Sequence, residues 1–170
     1  PDSARGAAAP KAPPAPPPAK AAPPAPPVVD TSTLMAAKDA AASLFREAKF
    51  AEAAAAFGSL IAMCSTSSAG QEMVPRLLSN RAACHTELGD TRACMQDCDD
   101  ALAALALPSA LTDAPARMLK FKLTLRRAEA RRRLSLMAGA RSDLATLDAM
   151  ATNDDERAAV SFLASQLGRK

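Results

Sequence analysis

The stretch "SNRAACHTELGDTRACMQDCDDAL", residues 79–102, holds three of the four cysteines and the single histidine of a 170-residue chain. Cys84, His85, Cys94 and Cys98 invite a zinc or redox reading, because thiolates and imidazole are the usual ligands of structural zinc. The same residues fit something plainer. Gly89 and Asp90 are a turn signal between two runs in which small and apolar residues recur at helical intervals. Cys94 and Cys98 lie one turn apart on the second run, where packing alone accounts for them. His85 directly follows Cys84 and so points about 100° away from it on a helix, which argues against a paired thiol and imidazole.

The hairpin recurs along the chain. A small residue near the middle of each first helix (Ala41, Ala82, Ala128) is followed twelve residues later by another (Ala53, Cys94, Ala140). Sixteen residues after the first come Phe57, Cys98 and Leu144, and nineteen after it Leu60, Ala101 and Leu147. These internal offsets are shared, while the steps between copies are 41 and 46 residues. Two short helices cannot bury an apolar face alone, so small residues let each pair close and larger ones seat on the next pair.

The element boundaries follow from local signals. "TSTLMAAKDAAASLFREAKF" begins with hydroxyl caps at Ser32 or Thr33, breaks near Lys49 and Phe50, and leads into "AEAAAAFGSLIAMC". After "STSSAGQE", read as a junction, Pro75 suits the first turn of a helix to Leu88, and Thr91–Ala104 is its partner. A third pair runs from Ala116 to Leu134 and from Ala138 to Met150. In "NDDERAAVSFLASQLG", Asn153 and Glu156 form a capping box, with Val160, Leu163 and Leu167 as an apolar stripe. Sparse Gly and Pro and few β-branched residues make the chain all-α beyond residue 32.

With these offsets the chain resembles the tetratricopeptide repeat family, and residues 79–102 match it best. The usual repeat is about 34 residues, so the longer steps imply insertions of about 7 and 12 at "STSSAGQE" and "LALPSALTDAPA". The resemblance implies three TPR helical hairpins (34–64, 75–104, 117–150) and a C-terminal capping helix (153–168) in a right-handed superhelix, the whole domain spanning 33–170. It also implies partner binding on the concave surface lined by the first helices. There Lys38, Asn80, Lys122 and Arg126 resemble the carboxylate clamp of co-chaperones, which hold the acidic, EEVD-like C-terminal tails of Hsp70 and Hsp90. The clamp's first asparagine falls at Ala42, which has no donor. Arg76, Ala83, Glu129 and Arg133 complete the expected groove, and the spacing of Lys122, Arg126, Glu129 and Arg133 by four, three and four sets them on one helical face.

Other functions fit less well. From Ala116 to Arg133, eight basic residues face one acidic residue, a surface that suits phosphate. Yet the chain has no Tyr or Trp for base stacking, and its net charge of +3 falls to +2 without the N-terminal arm. A scaffold or adaptor role inside a larger assembly remains a reading of the same fold. An enzyme is not expected, for want of a Gly-rich phosphate loop or a paired acid set in a cleft, and neither a cofactor nor a metal is expected.

Eleven of the fourteen prolines lie in residues 1–27, without an aromatic residue among them, so residues 1–32 read as a disordered Pro/Ala-rich arm. Lys11, Pro14 and Pro17 match the spacing of an SH3 ligand, a match expected by chance in so proline-rich a segment. Four cysteines without a dense framework indicate reduced thiols and a cytoplasmic setting, and no apolar run reaches the length of a membrane span. The absence of an initiator Met fits either a processed end or an excised fragment.

Overall fold

The computed structural model describes residues 31–65, 68–106 and 114–168. Residues 1–30 of the expected Pro/Ala-rich arm, with the SH3-like spacing, lie outside the described residues, as does most of the "LALPSALTDAPA" junction, while Thr31 and Ser32 belong to the first helix. The described elements are helices: α1 (Thr31–Arg46), α2 (Phe50–Ser65), α3 (Ser68–Gln71), α4 (Val74–Leu88), α5 (Thr91–Ala104), α6 (Ala114–Arg133), α7 (Met137–Met150) and α8 (Asp154–Gly168). No described helix is long and apolar enough to cross a membrane.

The pairs α1/α2, α4/α5 and α6/α7 are the three hairpins, and each second helix packs on the first helix of the next pair, α2 on α4 and α5 on α6, with α8 closing the stack on α7. The repeat offsets identify the core. Ala41, Ala82, Ala128, Ala53, Cys94, Ala140, Phe57, Cys98, Leu60, Ala101 and Leu147 are all buried. Leu144 is half-buried at the far edge of the third hairpin, against α8's apolar cluster.

Several boundaries differ from the sequence expectation. Ser32 and Thr33 lie inside the first turn of α1, which begins at Thr31, so they are not its caps. "STSSAGQE" is not all loop, because Ser68–Gln71 forms a turn of helix. α6 starts two residues earlier than expected, with Pro115 accommodated in its first turn, where it forfeits no intrahelical bond. The α8 cap is a variant of the expected box. Asn153 Oδ1 accepts from the Glu156 backbone N–H at 2.9 Å, but the Glu156 carboxylate accepts from the Thr152 N–H at 2.8 Å and not from that of Asn153. Arg117 of α6 donates to the same carboxylate at 2.8 Å and to the Met150 carbonyl at 3.1 Å, so the cap also fastens α8 to the third hairpin.

Each hairpin turn has its own solution. Gly89 takes a left-handed φ of 75° after α4, and Asp90 caps α5 through the Ala93 N–H at 3.1 Å. Ala48 and Ser135 adopt φ near 60° at the other two turns, a conformation that side-chain-bearing residues hold only where surrounding structure fixes it. The first turn is braced by Phe45 and Phe50, edge to face with centroids 5.2 Å apart.

The repeat has a second, polar rule. Asp97 is buried and accepts from Arg81 at 2.6 and 3.0 Å; forty-six residues on, buried Asp143 accepts from Arg127 in the same way. The next turn supplies a second partner in each copy. Arg131 donates to Asp143 at 2.9 Å, and His85 Nε2 stands 3.7 Å from Asp97. Asp99 then receives Arg127 at 2.9 Å, which stitches the second hairpin to the third. The first hairpin has Ala40 and Ala56 at the equivalent places, and Gly58 where Asp99 would be.

Two outcomes follow from these contacts. Asp97→Ala strands the Arg81 guanidinium and costs about 3 kcal/mol in urea unfolding, the low end for breaking a buried pair, while adding Arg81→Ala restores part of that loss. The Arg117 guanidinium, with the Thr152 N–H, holds the Glu156 carboxyl down to about 2 from an ordinary 4.5. Its contribution is therefore complete above pH 4.5 and lost as pH falls toward 2. Amide exchange, corrected for intrinsic rates, is expected to show α8 losing protection in that window before α4 does.

Candidate functional site

The first helices α1, α4 and α6 present the residues singled out as a groove, and the structure sorts them into two hollows. The larger, about 470 Å³, lies between α6 and the α4/α5 turn. Lys122, Arg126, Glu129 and Arg133 all line it, as their four-three-four spacing requires, together with Leu125 and Ala130 of the same helix and with Thr86, Thr91 and Cys94 of the second hairpin opposite. The smaller, about 220 Å³, lies between the first hairpin and α4, lined by Ala42, Phe45, Arg46, Phe57, Asn80 and Ala83. Ala42 therefore shares this hollow with Asn80 and offers no donor at the place of the missing asparagine.

Arg126 lines the larger hollow and reaches toward the helix that borders the smaller one. Its guanidinium donates to the Ser79 carbonyl at 3.1 Å, with the Ser79 hydroxyl at 3.5 Å, and Ser79 adjoins Asn80. Among the described residues no carboxylate pairs with it, so the cation keeps donors for an acceptor in the groove. Lys122 is exposed and also borders a third hollow, with Phe121, Asn153 and Asp155 at the α8 N-terminus.

Two expected residues stand apart. Lys38 lines neither hollow; it is half-buried on α1 beside Asp39, 3.3 Å from its carboxylate. Arg76 is exposed on the first turn of α4 and likewise lines neither. Helical position places both on the first helices, but does not fix where a long side chain ends.

The basic run of α6 is not one surface. Arg117 is paired with Glu156, Arg127 and Arg131 with Asp143 and Asp99, and Arg132 and Arg133 with Glu129. Hydrogen bonds from Arg132 and then Arg133 hold the Glu129 carboxyl below the usual carboxylate range. Lys120, Lys122 and Arg126 are the cations of this run without a carboxylate partner among the described residues. Sequence reasoning passes over these pairs; the signal that marks them is the 46-residue step that Arg81 and Arg127, like Asp97 and Asp143, share with the core positions.

Among the described residues no group of three or more His, Cys, Asp or Glu side chains is arranged to hold a metal ion. All four cysteines are free and buried. The Cys84 thiol donates to the Asn80 carbonyl at 3.4 Å, and His85 turns toward Asp97, so this thiol and the adjacent imidazole face different neighbours.

No protein-family model matches the chain. Over 60 residues, 35% of its length, it is 47% identical to sperm-associated antigen 1 of Rattus norvegicus and 43% identical to the mitochondrial import receptor subunit TOM34 of Homo sapiens. The mouse form of the first is 48% identical over the same length. The matches span 7% of the first relative and 19% of the import receptor subunit, so the similarity is to a segment of much longer proteins in the first case and to a fifth of the other.

Because Lys122 is exposed and has no carboxylate partner among the described residues, Lys122→Ala is expected to shift unfolding free energy by no more than about 0.5 kcal/mol. Arg126→Ala, which gives up the bond to Ser79, is expected to cost about 1 kcal/mol. Urea titrations of both variants check this and set the baseline for any change in binding.

Proposed function

We propose that this chain is a protein-interaction module of tetratricopeptide-repeat type, and that its groove takes the acidic C-terminal tail of an Hsp70 or Hsp90 chaperone. The observation that carries the reading is the pairing of Lys122 and Arg126 in one hollow, with Arg126 anchored beside Asn80 in the next. An ammonium and a guanidinium free of carboxylate partners suit a terminal carboxylate and an adjoining acidic side chain through charge-assisted bonds. The Asn80 amide serves the backbone of an extended peptide. Phe45, Phe57, Ala42 and Ala83 make the second hollow apolar, which suits an aliphatic side chain next to the acidic end.

Lys38 enters this reading as a peripheral cation that long-range attraction brings into play, and Ala42 removes one donor. Both weaken the grip relative to a full clamp, by about 1–3 kcal/mol if the group served by the missing donor is left unpaired. The resemblance to a segment of a protein named as an import receptor subunit is in keeping with a recognition role. Four free, buried thiols suit a reducing, cytoplasmic setting. The pairing of five of the eight α6 cations with carboxylates favours a peptide over nucleic acid. A scaffold role in a larger assembly would leave the unpaired Lys122 and Arg126 without a purpose.

Calorimetric titration with peptides ending in EEVD tests the reading. The free-carboxylate peptide is expected to bind with an affinity that falls as salt rises, and its C-terminal amide to bind at least tenfold more weakly. Equal affinity for both forms overturns the clamp, and tighter binding of single-stranded RNA than of the peptide favours the nucleic-acid alternative.

A further inference from the structure

The outer face of α8 carries no charge where a solvated helix face ordinarily carries several. From Ala158 to Gly168 eleven residues pass without an Asp, Glu, Lys or Arg, whereas the exposed residues of α5 and α7 include Arg92 and Asp100, Arg141 and Asp148. Val160, Leu163 and Leu167 are buried against the third hairpin, so Phe162 points the other way. It is 66% exposed, more than any other large apolar side chain among the described residues. About one turn to either side of it lie the small, exposed Ala158 and Ser165, and the Ser165 hydroxyl donates to the Phe162 carbonyl at 2.7 Å, so the face asks for no polar partner. The element that closes a repeat stack needs a polar outer face to stand in water alone, and α8 lacks one over these turns.

We propose that this face docks a second copy of the chain, with the two α8 helices antiparallel and centred on Phe162. What selects that occupant is the symmetry of charge about the phenylalanine. In an antiparallel pair related by a two-fold axis, a residue a given number of positions before Phe162 meets the one equally far after it in the other copy. Asp155 stands seven residues before Phe162, and Arg169, which follows the last described helix, stands seven after. Seven residues are about two helical turns, so Asp155 shares the face of Phe162. Asp155 is exposed and, unlike its neighbours Asp154 and Glu156, has no arginine partner among the described residues. Antiparallel pairing therefore sets Asp155 of each copy against Arg169 of the other, where parallel pairing would set Asp155 against Asp155. Between these ends each ring seats beside its counterpart over Ala158 and Ser165 of the other copy, small enough to let the helices approach, and the aromatic contact adds to the apolar burial. A helix of 15 residues is about 22 Å long. One such pair falls short of the roughly 1,200 Å² of a standard interface, so the dimer is transient and follows concentration. No residue of α8 lines the larger or the smaller hollow, so the pairing leaves both open and stands apart from the proposed function.

Sedimentation equilibrium of the full chain, from micromolar to millimolar concentration, is expected to show a mass that rises from 17.5 kDa toward twice that value. Phe162→Asp is expected to keep the chain monomeric throughout with its helical circular dichroism unchanged, since the side chain is exposed. Asp155→Arg is expected to weaken association at least tenfold by setting like charges together, and Arg169→Asp added to it is expected to restore the association. Under mild oxidation Phe162→Cys is expected to crosslink to its own counterpart, because the four native thiols are buried and the two-fold axis brings position 162 against itself. A chain that stays monomeric at every concentration overturns the proposal, as does an association that Phe162→Asp leaves intact. A double charge variant that associates no better than Asp155→Arg alone overturns the antiparallel pairing.

Discussion

The second and third hairpins each turn on a buried aspartate clamped by an arginine sixteen residues before it. Asp97 and Asp143 are 3% and 2% exposed, and a lone carboxylate so placed would lose its hydration without recompense. A bidentate guanidinium from the other helix of the same hairpin offsets that cost and fixes the two helices in one register, since a shift of either by a residue separates the pair. Pairs of this kind add little net stability compared with apolar residues, and the first hairpin, with Ala40 and Ala56 in their place, does without one. What the pair supplies is a fixed orientation for α4 and α6.

That orientation makes the groove. With Arg127 and Arg131 drawn into the interior by Asp143 and Asp99, the opposite face of α6 is left to Lys122, Arg126, Glu129 and Arg133. Arg126 then reaches back to Ser79, so its position reports on the packing of the second hairpin against the third. One helix thus divides its cations between holding the stack and facing the groove. Twenty residues of basic sequence contain both roles without a visible boundary.

Much of this was legible in the sequence. The shared offsets of twelve, sixteen and nineteen residues depend only on how closely two helices approach, and tight packing enforces small residues there whatever the surroundings. Hence Ala82, Cys94 and Cys98 were recognisable as core positions despite their chemistry. The Arg127–Asp143 pair keeps the same step, but the surrounding run of arginines hid it as a charged face. Lys38 and Arg76 were placed on the correct helices yet not in the hollows, because periodicity fixes the direction of a Cβ and not the course of a long flexible side chain. The α8 cap was visible in Asn153 and Glu156, whereas Arg117 was not, since its partner lies thirty-nine residues away.

Under the proposed function, Arg126 and the terminal carboxylate of a bound tail meet each other. A double-mutant cycle measures that contact directly, with wild-type and Arg126→Ala protein each titrated with free-carboxylate and amidated peptides. If the two groups meet, amidation costs far less affinity in Arg126→Ala than in the wild type, and the two losses do not add. Losses that add within about 0.3–0.5 kcal/mol would mean that the groups act independently, and would contradict the account.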